Sequence, residues 1–534
     1  MKCFDGLRLT GTVALLATLM VATAAAQQPT MVLTIRGIDA ILDDAEFIGA
    51  EIGHDGVKGT ADQFLTSFAG GLAGVDRSKP FGVFWNATAS GSPDMPVAFV
   101  PVSDVEGLKK LLGMLTADFK DNKGQWSMTL NDNKLFAKVS GGYCFISNVP
   151  TALTKLPDPS KIVNSKYDFA LDLSVASIPD EFKETFLTAM ESGLQQAAEQ
   201  APEASTEAEK ALRELLQNSL VTSTKDLVND SDRLTLGIDI DKKSRLFALD
   251  FGLTGKSNTN LAKSMTAFGK LQPVFAGIGA DSSPLRVVFS YPTTGIVDQV
   301  DSIMKSAREA AESQIETDDH FATDAERKTA KGLAGRLIDI FQATVKTGSM
   351  HSGLVIEPAD EGKLRIISGS RVARGDDLGK VIDEAIKLSK DDDVKDKIKL
   401  DAAKHAGARI HAITIDADEE DDFSKLLGAD PGHIAIRSDS VWIALGTDNL
   451  TALKKALDAK PLTKPSSPIS LQVKPGALVA IMEKNDEKLV ERAKELAGKP
   501  GDKLTLEVAP VPNGAKLRLE IGVDVLQLAE QQDN

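Results

Sequence analysis

Leu234–Leu253 reads LTLGIDIDKKSRLFALDFGL, and Leu504–Val523 reads LTLEVAPVPNGAKLRLEIGV. Laid one over the other, they align without a gap from 234 on 504 to 253 on 523. Both open Leu-Thr-Leu, Gly252 falls on Gly522, and Asp250 falls on Glu520. Each holds two alternating apolar runs around a polar turn, Asp241-Lys242-Lys243-Ser244 in one and Pro512-Asn513-Gly514 in the other. Alternation on both sides of a turn is the pattern of a β-hairpin. A segment that recurs at this distance points to an internal duplication, which sets the architecture before any single element does.

Working outward, Ile146-Ser147-Asn148-Val149-Pro150-Thr151-Ala152-Leu153 resembles Leu445-Gly446-Thr447-Asp448-Asn449-Leu450-Thr451-Ala452-Leu453. Each reads as a strand end, a polar turn and a short helix. Periodicity then gives a recurring order of strand, helix, hairpin, helix over 31–115, 168–271 and 285–389, with shorter versions at 409–458 and 468–532 and a truncated one at 126–156. Ser257, Thr323 and Asp376 stand at N-cap positions, and Asp180-Glu181 places acid at a helix start. A unit of this kind has one apolar sheet face that helices must cover. The expected fold is therefore α+β: mainly antiparallel sheets with helices packed on one face, built from repeated units in two homologous halves, 27–280 and 281–534. Gln200–Lys210, Glu316–Arg327 and Lys460–Pro468 read as loops or connectors.

The first 26 residues carry Lys2 and Arg8, an apolar run from Val13 to Val21, and Ala24-Ala25-Ala26. That is the pattern of a cleavable secretory signal peptide. Its apolar run is short of the roughly 20 residues a bilayer span needs, so no integral membrane span is expected after cleavage. The formal charge of −16 becomes −17 once Lys2, Arg8 and Asp5 are removed. Basic residues are interspersed with acids throughout, which argues against a nucleic-acid partner, because a phosphate backbone needs clustered Lys and Arg. Only Cys144 remains after cleavage, so no intrachain disulfide forms, and its setting in Tyr-Cys-Phe-Ile reads as a core strand. Trp85, Trp126 and Trp442 also lie in strand-like runs.

No motif supplies catalytic, cofactor-binding or metal-binding residues. Ser302-Ile303-Met304-Lys305 and Lys346-Thr347-Gly348 match S-x-x-K and K-T-G. However, the serine lies inside a predicted helix and the K-T-G ends one, where that chemistry needs a helix start and a strand. Gly255-Lys256-Ser257 resembles the end of a P-loop, but Asp250 stands where the first glycine belongs and would repel phosphate. His54, His320, His351, His405, His411 and His433 include no i, i+4 pair. The acidic runs Asp416–Asp422 and Asp391-Asp392-Asp393 read as acids crowding helix starts.

Four segments, Lys79–Phe84, Phe99–Leu112 (FVPVSDVEGLKKLL), Gly141–Pro159 and Tyr167–Glu184, resemble a group of large exported bacterial proteins of unassigned function. The resemblance covers mainly 80–200 and implies export. It transfers no catalytic residue and no cofactor. The expected function is that of a non-enzymatic exported binding or scaffold protein of the cell envelope, periplasmic or extracellular, with a protein partner there. The alternative is a secreted or periplasmic hydrolase whose carboxylates meet only in the fold.

Overall fold

A computed structural model describes residues 29–51, 53–86, 96–199, 207–294, 297–318, 320–389, 392–414, 422–460, 466–482 and 487–530. The segment 1–26, read in the sequence as a signal peptide, lies outside the described residues. So do most of the acidic run at 416–422, Asp391, and the connector positions 200–206 and 461–465. The chain forms two compact units, one of residues up to Met190 with Leu227–Lys256, the other of Glu191–Asp226 with the residues from Ser257 onward.

The first unit contains β1 (Met31–Ile35), β2 (Phe81–Trp85), β3 (Val97–Pro101), β4 (Ala117–Asn122), β5 (Gln125–Leu130), β6 (Asn133–Ser140), β7 (Tyr143–Ser147), β8 (Phe169–Ser174), β9 (Ser231–Asp241) and β10 (Leu246–Gly255). They run β4-β5-β6-β7-β3-β2-β1-β8-β9-β10, every pair antiparallel. The second unit contains β11 (Leu285–Pro292), β12 (Ser349–Pro358), β13 (Leu364–Arg371), β14 (Ile398–His405), β15 (Ala408–Ile413), β16 (Gly432–Arg437), β17 (Ser440–Gly446), β18 (Ile469–Val473), β19 (Leu504–Val511) and β20 (Gly514–Gly522). Their order is β14-β15-β16-β17-β13-β12-β11-β18-β19-β20, again antiparallel throughout. Adding ten to each strand of the first path gives the second.

The α+β class and the antiparallel pairing agree with the sequence reading; the placing of helices on one face does not. In the second unit the helix Asn449–Leu457 contributes Leu453 and Ala456 to a core with Ala435, Trp442 and Ala444. The helix Gly375–Leu388 instead brings Gly379 against Ile436, which points to the other face. In the first unit Leu153 and Ile162 pack with Phe84, Phe99 and Phe145. Leu108 and Leu111 of the helix Val105–Leu115 pack with Trp126, Ala137 and Cys144. Consecutive buried residues such as Cys144-Phe145 explain the difference, because neighbouring side chains on a strand point to opposite faces.

Local signals fare well at one cap and less well at two. Thr323 caps its helix in a full capping box with Glu326. At the other two starts the N-caps are Thr259 and Arg374 instead of Ser257 and Asp376. Both aligned segments are hairpins, but Lys242–Arg245 connects β9 to β10 while Pro512 and Asn513 alone connect β19 to β20. The pairs Leu236↔Phe251 and Leu506↔Leu519 therefore correspond, and the gap-free alignment slips by two residues on the second strand. Asp250 lies opposite Gly237, whereas Glu520 lies opposite Thr505.

Candidate functional site

Strand register assembles three rows of side chains on one face of the first unit. They are Trp85-Met31-Leu173-Leu234-Leu253, Val83-Leu33-Leu171-Leu236-Phe251 and Phe81-Ile35-Phe169-Ile238-Leu249. All are apolar and none is buried; Phe251 is 44% exposed. The second unit repeats the array with Ile356-Leu285-Val473-Leu504-Ile521, Leu354-Val287-Leu471-Leu506-Leu519 and Ser352-Phe289-Ile469-Val508-Leu517. Ser352 is its one polar member, and again none is buried. Each array spans about 19 Å by 13 Å between its outermost backbone positions, from the usual strand and residue spacings. The opposite face carries the buried residues of the same strands, including Val32, Thr34, Phe84, Ala170, Ala248 and Asp250.

On that opposite face of the second unit, a polar row crosses five strands. Ser290 of β11 pairs with His351 of β12, and Arg371 of β13 and Arg437 of β16 both pair with Ser440 of β17. Ser290 Oγ lies 2.9 Å from His351 Nδ1, and His351 Nε2 lies 2.9 Å from Ser349 Oγ. Burial, aided by the Arg371 guanidinium, holds His351 below the ordinary histidine value. With Ser290 1% exposed and both imidazole nitrogens engaged, this pair is a closed polar contact and not an accessible nucleophile. Beside it, Arg371, Arg437, Ser440, Trp442, Phe275 and Lys460 line an open cleft of about 410 Å³. Its floor exists because Gly369 has no side chain: a Cβ there would come 2.7 Å from the Phe275 ring and 2.8 Å from Trp442. The two rings meet edge to face at 5.1 Å.

In the first unit, two carboxylates are buried close together, Asp44 and Asp168, each 2% exposed. Arg36 Nη1 reaches Asp168 Oδ1 at 2.6 Å, the Ile240 amide donates to Asp168 Oδ2 at 2.7 Å, and Lys242 Nζ lies 2.7 Å from Asp44 Oδ1. Burial, reinforced by the Asp44 charge, raises Asp168 above the ordinary carboxylate range against the pull of Ile240 and Arg36.

The residues weighed in the sequence are dispersed. Ser302 and Lys305 lie inside the helix Val297–Thr317, with Lys305 3.8 Å from Glu309. Lys346 caps the helix Asp324–Val345 and pairs with Asp301 at 2.6 Å, with β12 starting three residues on. Gly255 ends β10, and Lys256 Nζ donates to the Asn229 carbonyl. His54 and His320 are exposed, and His405 lies 2.8 Å from Asp458. His411 accepts from the Asp401 amide, and His433 contacts Asn449. Cys144 is fully buried, its thiol pushed up to about 12 by desolvation, which makes it inert. Among the described residues, no group of three or more His, Cys, Asp or Glu is placed to hold a metal, and no helix is long and apolar enough to cross a membrane.

Sequence reading missed Arg371, Arg437 and Lys460; Trp442, read as core, is 6% exposed and packs in the core at the base of the cleft. The alternation of Leu364–Arg371 puts Ile367, Gly369 and Arg371 on one face, which was a usable signal. The chain matches no known family model, no curated protein and no solved structure.

Proposed function

We propose that this chain is an exported, non-catalytic binding or scaffold protein of the cell envelope, built by duplication of a ten-strand module, with the apolar arrays as its binding surface. Two kinds of likeness support the duplication. The strand paths of the two units correspond one to one, and the Leu-Thr-Leu segments fall on corresponding strands, β9 and β19. Export rests on the pattern of residues 1–26.

The observation that carries the binding reading is the array itself. Fifteen positions in each unit hold twenty-nine apolar side chains and one serine, and none is buried. A contiguous apolar face left partly open costs solubility unless something covers it, so patches of this kind mark partner sites. The hydrolase alternative draws less support, since the facing carboxylates Asp44 and Asp168 are both closed to solvent.

The test is titration of the neutral dye Nile red into mature protein, followed by affinity capture from native envelope. We expect saturable fluorescence enhancement that falls in a Phe251→Ser, Leu249→Ser variant, together with a retained envelope partner that the same variant loses. Native protein that leaves the dye dark would remove the arrays as a surface and sink the reading.

A further inference from the structure

The cleft of the second unit lies on the opposite sheet face from the array and has a different chemistry. Its floor is apolar, formed by Phe275 and Trp442 with Ile278 and Leu457 beside them. Its rim carries three cations, Arg371, Arg437 and Lys460, against one acid, Asp439. In a protein of formal charge −16, such a local excess of positive charge runs against the whole.

Register explains how the cations come together. Arg371 and Arg437 flank Ser440 in one row, on the strands either side of it, so all three side chains leave the same face. The two side chains thus leave the backbone about 10 Å apart, across two strand spacings. Ser440 is held in place: its hydroxyl donates to Asp439 Oδ1 at 3.1 Å and accepts from Trp442 Nε1 at 3.3 Å. Arg437 Nε lies 3.7 Å from Asp439, a loose and exposed contact that a bound anion displaces at little cost. Arg371 and Lys460 are both exposed on the rim.

We infer that this cleft binds a small organic anion with a flat apolar body. The body lies over the cleft floor beside Val274, which is 38% exposed, and the carboxylate or phosphate end is held between Arg371 and Arg437. The volume of about 410 Å³ falls within the size range of small-ligand sites. Arginine suits the anionic end because its planar fork matches carboxylate and phosphate oxygens. A cleft that merely tolerated apolar molecules would not need this rim.

The experiment uses mature protein, with 2-naphthoate as the anionic probe and 2-naphthalenemethanol as its neutral counterpart, read by tryptophan quenching. The expected result is saturable binding of naphthoate that weakens with salt and is about tenfold tighter than that of the alcohol. Arg371→Gln with Arg437→Gln should weaken naphthoate by about tenfold and leave the alcohol unchanged. Trp442→Phe should remove the quenching while calorimetry still detects binding. Equal affinity for the two probes, indifference to the arginine changes, or no naphthoate binding at millimolar concentration would each overturn the inference. The Phe251→Ser, Leu249→Ser variant separates the two readings, since it should weaken the Nile red response and keep naphthoate binding unchanged.

Discussion

The two units follow one strand path but fill the same corner with different chemistry. Where β1 leaves β8, the Arg36 amide donates to the Asp168 carbonyl at 2.8 Å; where β11 leaves β18, the Ser290 amide donates to the Pro468 carbonyl at 2.8 Å. The backbone contact is the same. The side chains are an ion pair, Arg36 with Asp168, in the first unit and a neutral contact, Ser290 with His351, in the second. The path is therefore set by the antiparallel ladder and the apolar rows, and the polar residues at its ends need only satisfy one another. A buried charge is the riskier way to do that, because losing one partner strands the other.

The largest expected effect tests this asymmetry. Arg36→Leu leaves Asp168 buried beside Asp44 and should cost about 3–5 kcal/mol. Ser290→Ala removes one neutral hydrogen bond from His351 and should cost about 1 kcal/mol. Urea unfolding midpoints of the two variants measure the gap. Adding Asp168→Asn to Arg36→Leu should recover much of the loss, since the stranded charge goes with it. Equal costs for the two single changes would mean that the ion pair has no special weight.

What could be read from sequence divides along similar lines. The hairpins were legible, because alternation and turn residues lie within twenty residues of one another. The strand order was not, because β7 reaches β3 across the excursion through β4, β5 and β6, and nothing local encodes that pairing. Alternation identifies which residues share a face, but not how far each face is covered. In the first unit the buried face carries the small residues Gly82, Ala170, Gly237 and Ala248 beside Val32 and Phe84, while the rows of Leu, Ile and Phe lie on the other face. At Gly237 the reason is visible: the Tyr167 ring lies where a Cβ would be, 2.5 Å away, and its hydroxyl reaches Asp250 at 2.8 Å. The cleft was hidden for the same cause as the strand order. Arg437 meets Ser440 across a local hairpin, but Arg371 is far from both in sequence and joins them only through register.

A second contrast concerns acid. Burial raises Glu520, but hydrogen bonds from Lys503, Arg518 and Thr505 outweigh it and bring the carboxyl down to about 2 from 4.5. Its contribution to stability is present above pH 4.5 and is lost as pH falls toward 2. Asp168 has the opposite sign. Its raised value means the native state holds the proton more tightly, so its contribution is greatest below the unfolded value of 3.8 and declines as pH rises through its native one. Glu520→Gln should remove up to about 3 kcal/mol at neutral pH and flatten the fall in stability between pH 4.5 and 2. Asp168→Asn should leave that limb intact. Melting temperatures across this range distinguish them, and an unchanged acid limb in Glu520→Gln would remove the Lys503–Arg518 cradle from the account.

The smallest effects belong to the turns that make the hairpins differ by two residues. Asn513 adopts φ +55° in the short turn and Arg245 adopts φ +56° in the longer one. Asparagine tolerates the left-handed region, so Asn513→Ala should cost about 1 kcal/mol. Arginine has no such tolerance, yet Arg245 is held there by a two-pronged contact with Glu51, 2.9 Å at Nη2. Arg245→Gly relieves the backbone by about 1 kcal/mol and gives up a half-exposed ion pair worth about 0–1 kcal/mol. Its net effect should therefore sit near zero, below that of Asn513→Ala. If Arg245→Gly proves the more damaging change, the tie to Glu51 and not the backbone sets the longer turn, and the two-residue slip between the hairpins follows from that contact.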